Sequence, residues 1–207
     1  MKVLLLNGSP HEKGCTYTAL SEVAETLVKN GVEAEIYHIG TKPIAGCIAC
    51  NSCAKTGKCV FNDDGVNEIA SRLDEFDGIV LGAPVYYASA AGQACAFYDR
   101  LFYFNGNRMK GKLGAAVVSC RRGGNTASWD RLNKYFGMNN MITVGSQYWN
   151  QIHGNNAEEA KQDTEGLQTM RTLARNMAWL LKSIEAGRKA GIEYPTHETP
   201  TYMNFIR

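Results

Sequence analysis

Lys2-Val3-Leu4-Leu5-Leu6-Asn7 runs directly into Gly8-Ser9-Pro10-His11-Glu12-Lys13-Gly14-Cys15-Thr16, and this junction decides the fold. The first six residues form a short apolar run of the kind that makes a buried parallel strand. The next nine are small or turn-forming. A helical pattern over 16–29 follows. A strand, a small-residue loop and a helix N-terminus together make a cradle for an anion, because backbone N–H groups and the positive end of the helix dipole meet there. Neither G-x-G-x-x-G nor G-x-x-x-x-G-K-[ST] is present.

Working outward, strands and helices alternate. Val32–Ile39 predicts a second strand, Asp77–Gly82 a third, Leu113–Ser119 a fourth and Met141–Ser146 a fifth. Helices are predicted from Asp64, as cap, to Leu73, and over 92–104, 126–136 and 157–185. The segments 41–64 and 187–207 read as irregular, with Ala83–Tyr87 and Cys120–Asn125 as loops. This alternation predicts one doubly wound α/β domain over 1–207, a five-stranded parallel sheet in the order 2-1-3-4-5 between two helical layers. In such sheets a ligand lies beyond the carboxyl ends of the strands, where the strand order reverses. That rule selects the loops at 8–16, 83–91 and 119–125.

The chain has 207 residues and a formal charge of +2. That length suits a single core. The small charge and the lack of a basic block give no footprint for nucleic acid. No apolar run approaches the roughly 18 residues of a membrane span. The short apolar start leads into a motif loop rather than a cleavage site, so a cytoplasmic setting is expected. In a reducing compartment, metal, cluster or redox roles for the seven cysteines outrank disulfides.

Gly8-Ser9-Pro10 followed by Gly14-Cys15-Thr16 resembles the phosphate loop of the NADPH-dependent FMN reductase family, whose fold is flavodoxin-like. The family's usual form is GSPRxxGNT; here His11 stands for the Arg and Cys15 for the Asn. Gly82-Ala83-Pro84-Val85-Tyr86-Tyr87 resembles the family's G-[ST]-P-x-Y segment, and Ser119-Cys120-Arg121-Arg122-Gly123-Gly124 its third flavin loop. The resemblance implies FMN held by Ser9, His11, Cys15, Thr16 and Tyr17 at the phosphate, by Pro84, Val85, Tyr86 and Tyr87 at the ring, and by Ser119, Arg121, Arg122, Gly123 and Gly124 on the remaining side. For Arg121 and Arg122 three readings stay open: the anionic edge of a reduced flavin, the 2′-phosphate of NADPH, or plain solvated arginines. Phe97-Tyr98-Asp99-Arg100 resembles the family's F-x-DR segment, where Asp99 and Arg100 read as a structural ion pair or as backbone caps. His153 reads as a rim residue beside Trp149 or as an ordinary surface histidine.

Cys47, Cys50, Cys53 and Cys59 give the spacing C-x2-C-x2-C-x5-C. Ferredoxin-like runs use similarly close spacing, whereas structural zinc pairs two separated knuckles. The segment resembles the compact motif of iron–sulfur flavoproteins, a branch of the same family, and there implies a [4Fe–4S] cluster. The alternative is four small thiols packed as apolar groups. The resemblance implies an enzyme that moves electrons from NAD(P)H through FMN to a small acceptor such as a quinone, azo dye, nitroaromatic or free flavin. Its rivals are an electron carrier with FMN and a cluster, served by a ferredoxin-type donor, and a non-catalytic binding module. The apolar residues of the tail, Tyr194, Tyr202, Met203, Phe205 and Ile206, suggest packing on a neighbour in a homodimer or homotetramer.

Overall fold

A computed structural model describes residues 1–204. The expected tail residues Phe205 and Ile206, with Arg207, lie outside the described residues. Strand β1 (Lys2–Asn7) is followed by α1 (Cys15–Lys29) and β2 (Glu33–His38). A short helix α2 (Ser52–Thr56) lies in the cysteine segment, ahead of α3 (Val66–Arg72). Then come β3 (Gly78–Tyr86), β4 (Ser89–Ala90), α4 (Gly92–Met109), β5 (Leu113–Cys120) and α5 (Asn125–Met138). The chain continues through β6 (Ile142–Thr143), β7 (Gln151–His153), α6 (Ala157–Ala160) and α7 (Thr164–Lys189).

The central order is β2-β1-β3-β5-β6, all parallel. This is the flavodoxin-like order expected from the sequence, renumbered because of the extra strand β4. Side chains alternate across the strands. Leu4, Leu6, Ile79 and Leu81 face one core, closed by Ile69 of α3, Phe97 and Leu101 of α4 and Phe136 of α5. Val3, Leu5, Val80 and Val117 face the other, closed by Leu20 and Val23 of α1 and Leu173 and Met177 of α7. These are the two helical layers.

The structure corrects several expected boundaries. The third strand does not stop at Gly82: Ala83–Tyr86 continues it, and Val85 and Tyr86 pair antiparallel with Ala90 and Ser89. Pro84 brings no N–H to the ladder, and its carbonyl accepts from Ala91 N at 3.0 Å. The fifth strand is split. Ile142 and Thr143 pair with β5 and Val144 N still donates to Gly114 O at 2.8 Å, the chain then bows out over 145–149, and Gln151–His153 returns beside Val118–Cys120. The long C-terminal helix is also two helices. Asn156 caps the first through Glu159 N at 2.9 Å, and Asp163 caps the second through Gly166 N at 2.9 Å. Gly65 holds the N-cap position of α3, and Asp64, one residue earlier, accepts from the free N–H of Val66 at 3.4 Å. Finally, part of the tail folds back on its own domain. The Tyr194 ring lies over Gly111 and its hydroxyl donates to Asn140 O at 3.3 Å, while Tyr202 and Met203 remain exposed.

Candidate functional site

At the carboxyl end of the sheet the three selected loops meet. They are joined by 154–157, which follows β7, and together enclose a cleft of about 630 Å³. Its floor begins at Gly8, whose N–H donates to Gly82 O at 2.8 Å and so ties the ends of β1 and β3 together. A Cβ at Gly8 would stand 2.6 Å from Ala94 Cβ and 2.7 Å from Gly82 O. Only glycine permits this approach. The Asn7 side chain accepts from Ser9 N at 3.2 Å and donates to Glu12 O at 3.0 Å. Ser9 Oγ accepts from His11 N at 3.1 Å, and His38 Nε2 lies 2.8 Å from Ser9 O.

Helix α1 opens into the cleft. Gly14 is its N-cap, no side chain caps it, and no acidic residue lies in its first turn. The first-turn amides and the dipole are therefore available to an anion. Beneath them the Thr16 and Ser119 hydroxyls, almost fully buried, hydrogen-bond to each other at 2.7 Å. Two hydroxyls carry two protons, and their mutual bond uses one. Cys15 Sγ donates to Gly154 O at 3.4 Å, and burial pushes its thiol up. Burial also pushes up Cys120, so both remain thiols.

Of the residues expected at the flavin, Ser9, His11, Cys15, Thr16, Pro84, Val85, Tyr86, Ser119 and Arg121 line this cleft. Tyr17, Tyr87, Arg122, Gly123 and Gly124 do not. Tyr87 is fully exposed, because it and Ala88 adopt φ of 51° and 67° in the β3–β4 turn, which swings its ring out. Tyr17 follows Thr16 on α1, about 100° further round the helix. Gly124 caps α5 at φ 86° and braces the turn: a Cβ there would meet Val85 Cγ1 at 2.8 Å and Ala88 Cα at 3.0 Å. The sequence reading missed the wall formed by Asn155, Asn156 and Ala157. His153 lies elsewhere, in a small hollow with Trp149, where its Nδ1 is 3.3 Å from Asp163 Oδ2.

The four motif cysteines line a second, narrow hollow, walled by Ile48, Val60, Phe61 and Tyr103. The Ser52 backbone N–H favours the thiolate of Cys50 and lowers its pKa. Among the described residues, no three His, Cys, Asp or Glu side chains stand together as ligands of one metal ion. Arg100 is not paired with its neighbour Asp99. It forms a buried ion pair with Asp64, whereas Asp99 accepts from the Tyr135 hydroxyl. Asn67 holds the Cys59 backbone, accepting from its N–H at 2.8 Å and donating to its carbonyl at 2.9 Å.

Among the described residues no helix is long and apolar enough to cross a membrane. In fold, the chain resembles an archaeal flavodoxin (TM-score 0.60, 16% identity, 88% of this chain and 99% of that one). It also resembles an NAD(P)H:quinone oxidoreductase from Methanothermobacter marburgensis (TM-score 0.62, 14% identity, 86% and 96%). In sequence it is 33% identical to an iron–sulfur flavoprotein of Methanocaldococcus jannaschii, over 89% of this chain and 100% of that protein. It is 31% identical to an iron–sulfur flavoprotein of Methanosarcina thermophila, over 91% and 99%. The profile of the NADPH-dependent FMN reductases matches residues 1–156. The chain thus belongs to the NADPH-dependent FMN reductase family, with iron–sulfur flavoproteins among its relatives.

Proposed function

We propose that the protein is an FMN-dependent oxidoreductase that carries electrons from NAD(P)H to a small acceptor, a quinone, azo, nitro or flavin compound. One observation carries this reading. The loops after β1, β3 and β5 converge on a single cleft whose floor combines an uncapped helix N-terminus with the buried Thr16–Ser119 hydroxyl pair. These groups suit a phosphate: the helix end supplies amides and a dipole, and the hydroxyl pair keeps one proton to donate. Pro84, Val85 and Tyr86 offer an apolar and aromatic wall for a flat ring, and Arg121 brings a positive charge to the cleft. When bound, FMN supplies two-electron chemistry, taking hydride from a reduced nicotinamide and returning electrons to the acceptor. Overall, NAD(P)H, a proton and a quinone give NAD(P)⁺ and the hydroquinone. Cys15 and Cys120 remain thiols and move no proton in this scheme. The test is FMN reconstitution followed by anaerobic mixing with NADPH or NADH. Bleaching of the flavin band, then its return on adding a quinone, is expected. A protein that takes up no FMN refutes the reading.

A second cofactor has its own support. Four thiols, and no carboxylate or imidazole, line the hollow over 47–61. In kind and number these donors fit a [4Fe–4S] cluster, with Cys47, Cys50, Cys53 and Cys59 as ligands. Cys47 and Cys50 are exposed, so their segments have room to draw the sulfurs together. A ferredoxin-type donor would then be a natural partner. Anaerobic purification with iron and acid-labile sulfide assays decides it: neither element present removes the cluster and leaves the flavin reading intact. We also propose a homodimer or homotetramer, supported by the exposed Tyr87, Tyr202 and Met203.

A further inference from the structure

We propose that Arg100 is the positioning residue of the cysteine site: one buried guanidinium folds the 45–64 segment around itself and holds the Cys59 sulfur at its place in the four-thiol hollow. The guanidinium has five N–H donors, and all five are used. Nε donates to Cys59 Sγ at 3.2 Å. One terminal nitrogen donates to Ala45 O at 3.2 Å and to Asp64 Oδ2. The other donates to Phe61 O at 3.1 Å and to Asp64 Oδ1 at 3.2 Å. Every acceptor belongs to the segment that carries the cysteines.

An ordinary buried ion pair needs only the two bonds to its carboxylate. Here three further donors are spent on the backbone at 45 and 61 and on a cysteine sulfur. The Arg100 side chain is 1% exposed and that of Asp64 is 4% exposed, so neither charge has water as an alternative partner. The Phe61 ring covers the guanidinium, with its centroid 5.0 Å away. The division of labour with Asn67 is clear. Asn67 fixes the Cys59 backbone, and Arg100 fixes its side chain. A planar fork can span such a set of acceptors; the point charge of lysine cannot.

The inference rests on the cluster reading only where iron is measured. The test compares Arg100→Lys and Arg100→Gln with wild type. In iron-free protein, site-resolved alkylation by iodoacetamide is followed over a pH series, so that the limiting rate of the thiolate is compared rather than the thiolate fraction, which the loss of Arg100 lowers. That limiting rate for Cys59 should be about tenfold faster in both variants, as access to its sulfur opens. Cys95, buried in α4, should stay protected and FMN content unchanged, which excludes general unfolding. If Arg100→Gln does not fold, Arg100→Lys keeps a cation beside Asp64 and carries the test. In anaerobically purified protein, iron and labile sulfide should fall in both variants. Any iron retained by Arg100→Lys should show a more negative iron–sulfur midpoint potential with an unmoved FMN potential, because a hydrogen bond to sulfur is lost. Unchanged Cys59 alkylation in both variants overturns the proposal, and so does a retained cluster with its wild-type potential. Wild type without iron removes the cluster reading, while alkylation still judges Arg100.

Discussion

Removing one hydroxyl from the Thr16–Ser119 pair should cost more than removing both suggests. In Thr16→Ala the Ser119 oxygen, 3% exposed, loses the partner it has at 2.7 Å. An orphaned buried hydroxyl costs about 1–3 kcal/mol. Ser119→Ala orphans Thr16 in the same way. The double variant leaves no orphan, so its loss should fall short of the sum of the single losses by about 1 kcal/mol. Urea unfolding of the FMN-free protein measures this cycle. FMN affinity is a separate readout. If Thr16 gives its spare proton to the phosphate, Thr16→Ala should weaken FMN by about 1–2 kcal/mol, roughly 5–30-fold in Kd. Flavin fluorescence titration measures it. Additive stabilities together with wild-type FMN affinity in all three variants would refute both the pairing and the phosphate's place.

Gly124→Ala should destabilise by about 1–3 kcal/mol, since φ is 86° and a Cβ would press on Val85 and Ala88, whereas Gly123→Ala, with open space around it, should be close to neutral in thermal unfolding. Ser9→Ala should weaken FMN by about 1–2 kcal/mol, because the loop loses the acceptor for His11 N; wild-type affinity in a titration would argue against that role. Arg72 grips Glu35 through two 2.8 Å bonds and, with help from Lys2, holds its carboxyl at about 2. A depressed carboxylate stabilises the fold above its unfolded pKa and loses that contribution as pH falls toward the folded value. Stability should therefore drop between the ordinary carboxylate range and about pH 2, and Glu35→Gln should flatten that part of an acid-unfolding curve. Deleting 195–207 should reduce oligomer size and FMN retention, measured by light scattering and flavin content; an unchanged mass and an unchanged flavin content would exclude a role for the tail in assembly.

The parts of the site that follow a strand directly were legible. Strand β1 has a short apolar run, and its loop has the turn chemistry that must follow, so Ser9 and Thr16 could be placed from the sequence. Residues that depend on register were not legible. His38 lies level with Asn7 at the ends of β2 and β1, and it reaches Ser9 only because the parallel pairing brings it there, whereas the Asn7 contact to Ser9 N is a local turn bond. The 154–157 wall was hidden for a related reason. It exists because the last strand breaks and re-enters the sheet, and Met141-Ile142-Thr143-Val144 reads as an ordinary strand in which only Gly145-Ser146 hints at the break. Asp163 carried a readable signal, a capping residue three before Gly166, but the helical periodicity on either side masked it. Tyr87 looked like a ring-stacking residue by position alone. Positive φ at two non-glycine residues, which no sequence rule favours, turned it outward.

Arg100 shows the same limit from another direction. Its sequence neighbour Asp99 invites a pairing that helix geometry forbids, since adjacent residues point about 100° apart. Two positions back, Tyr98 lies about 200° round the helix from Arg100. Its buried hydroxyl reaches Gly82 O at 2.9 Å and Leu6 O at 3.3 Å, at the strand ends that feed the cleft. Helix α4 thus turns one side to the floor of the flavin cleft and another to the cysteine segment. Each side is fixed by buried polar contacts as well as by apolar packing, which any similar surface could satisfy after a slip of register. Sliding α4 by one turn would orphan the Tyr98 hydroxyl and the Arg100 guanidinium together, and buried groups of that kind have no cheap alternative. The two sites are held in one spatial relation because one helix carries both sets of contacts.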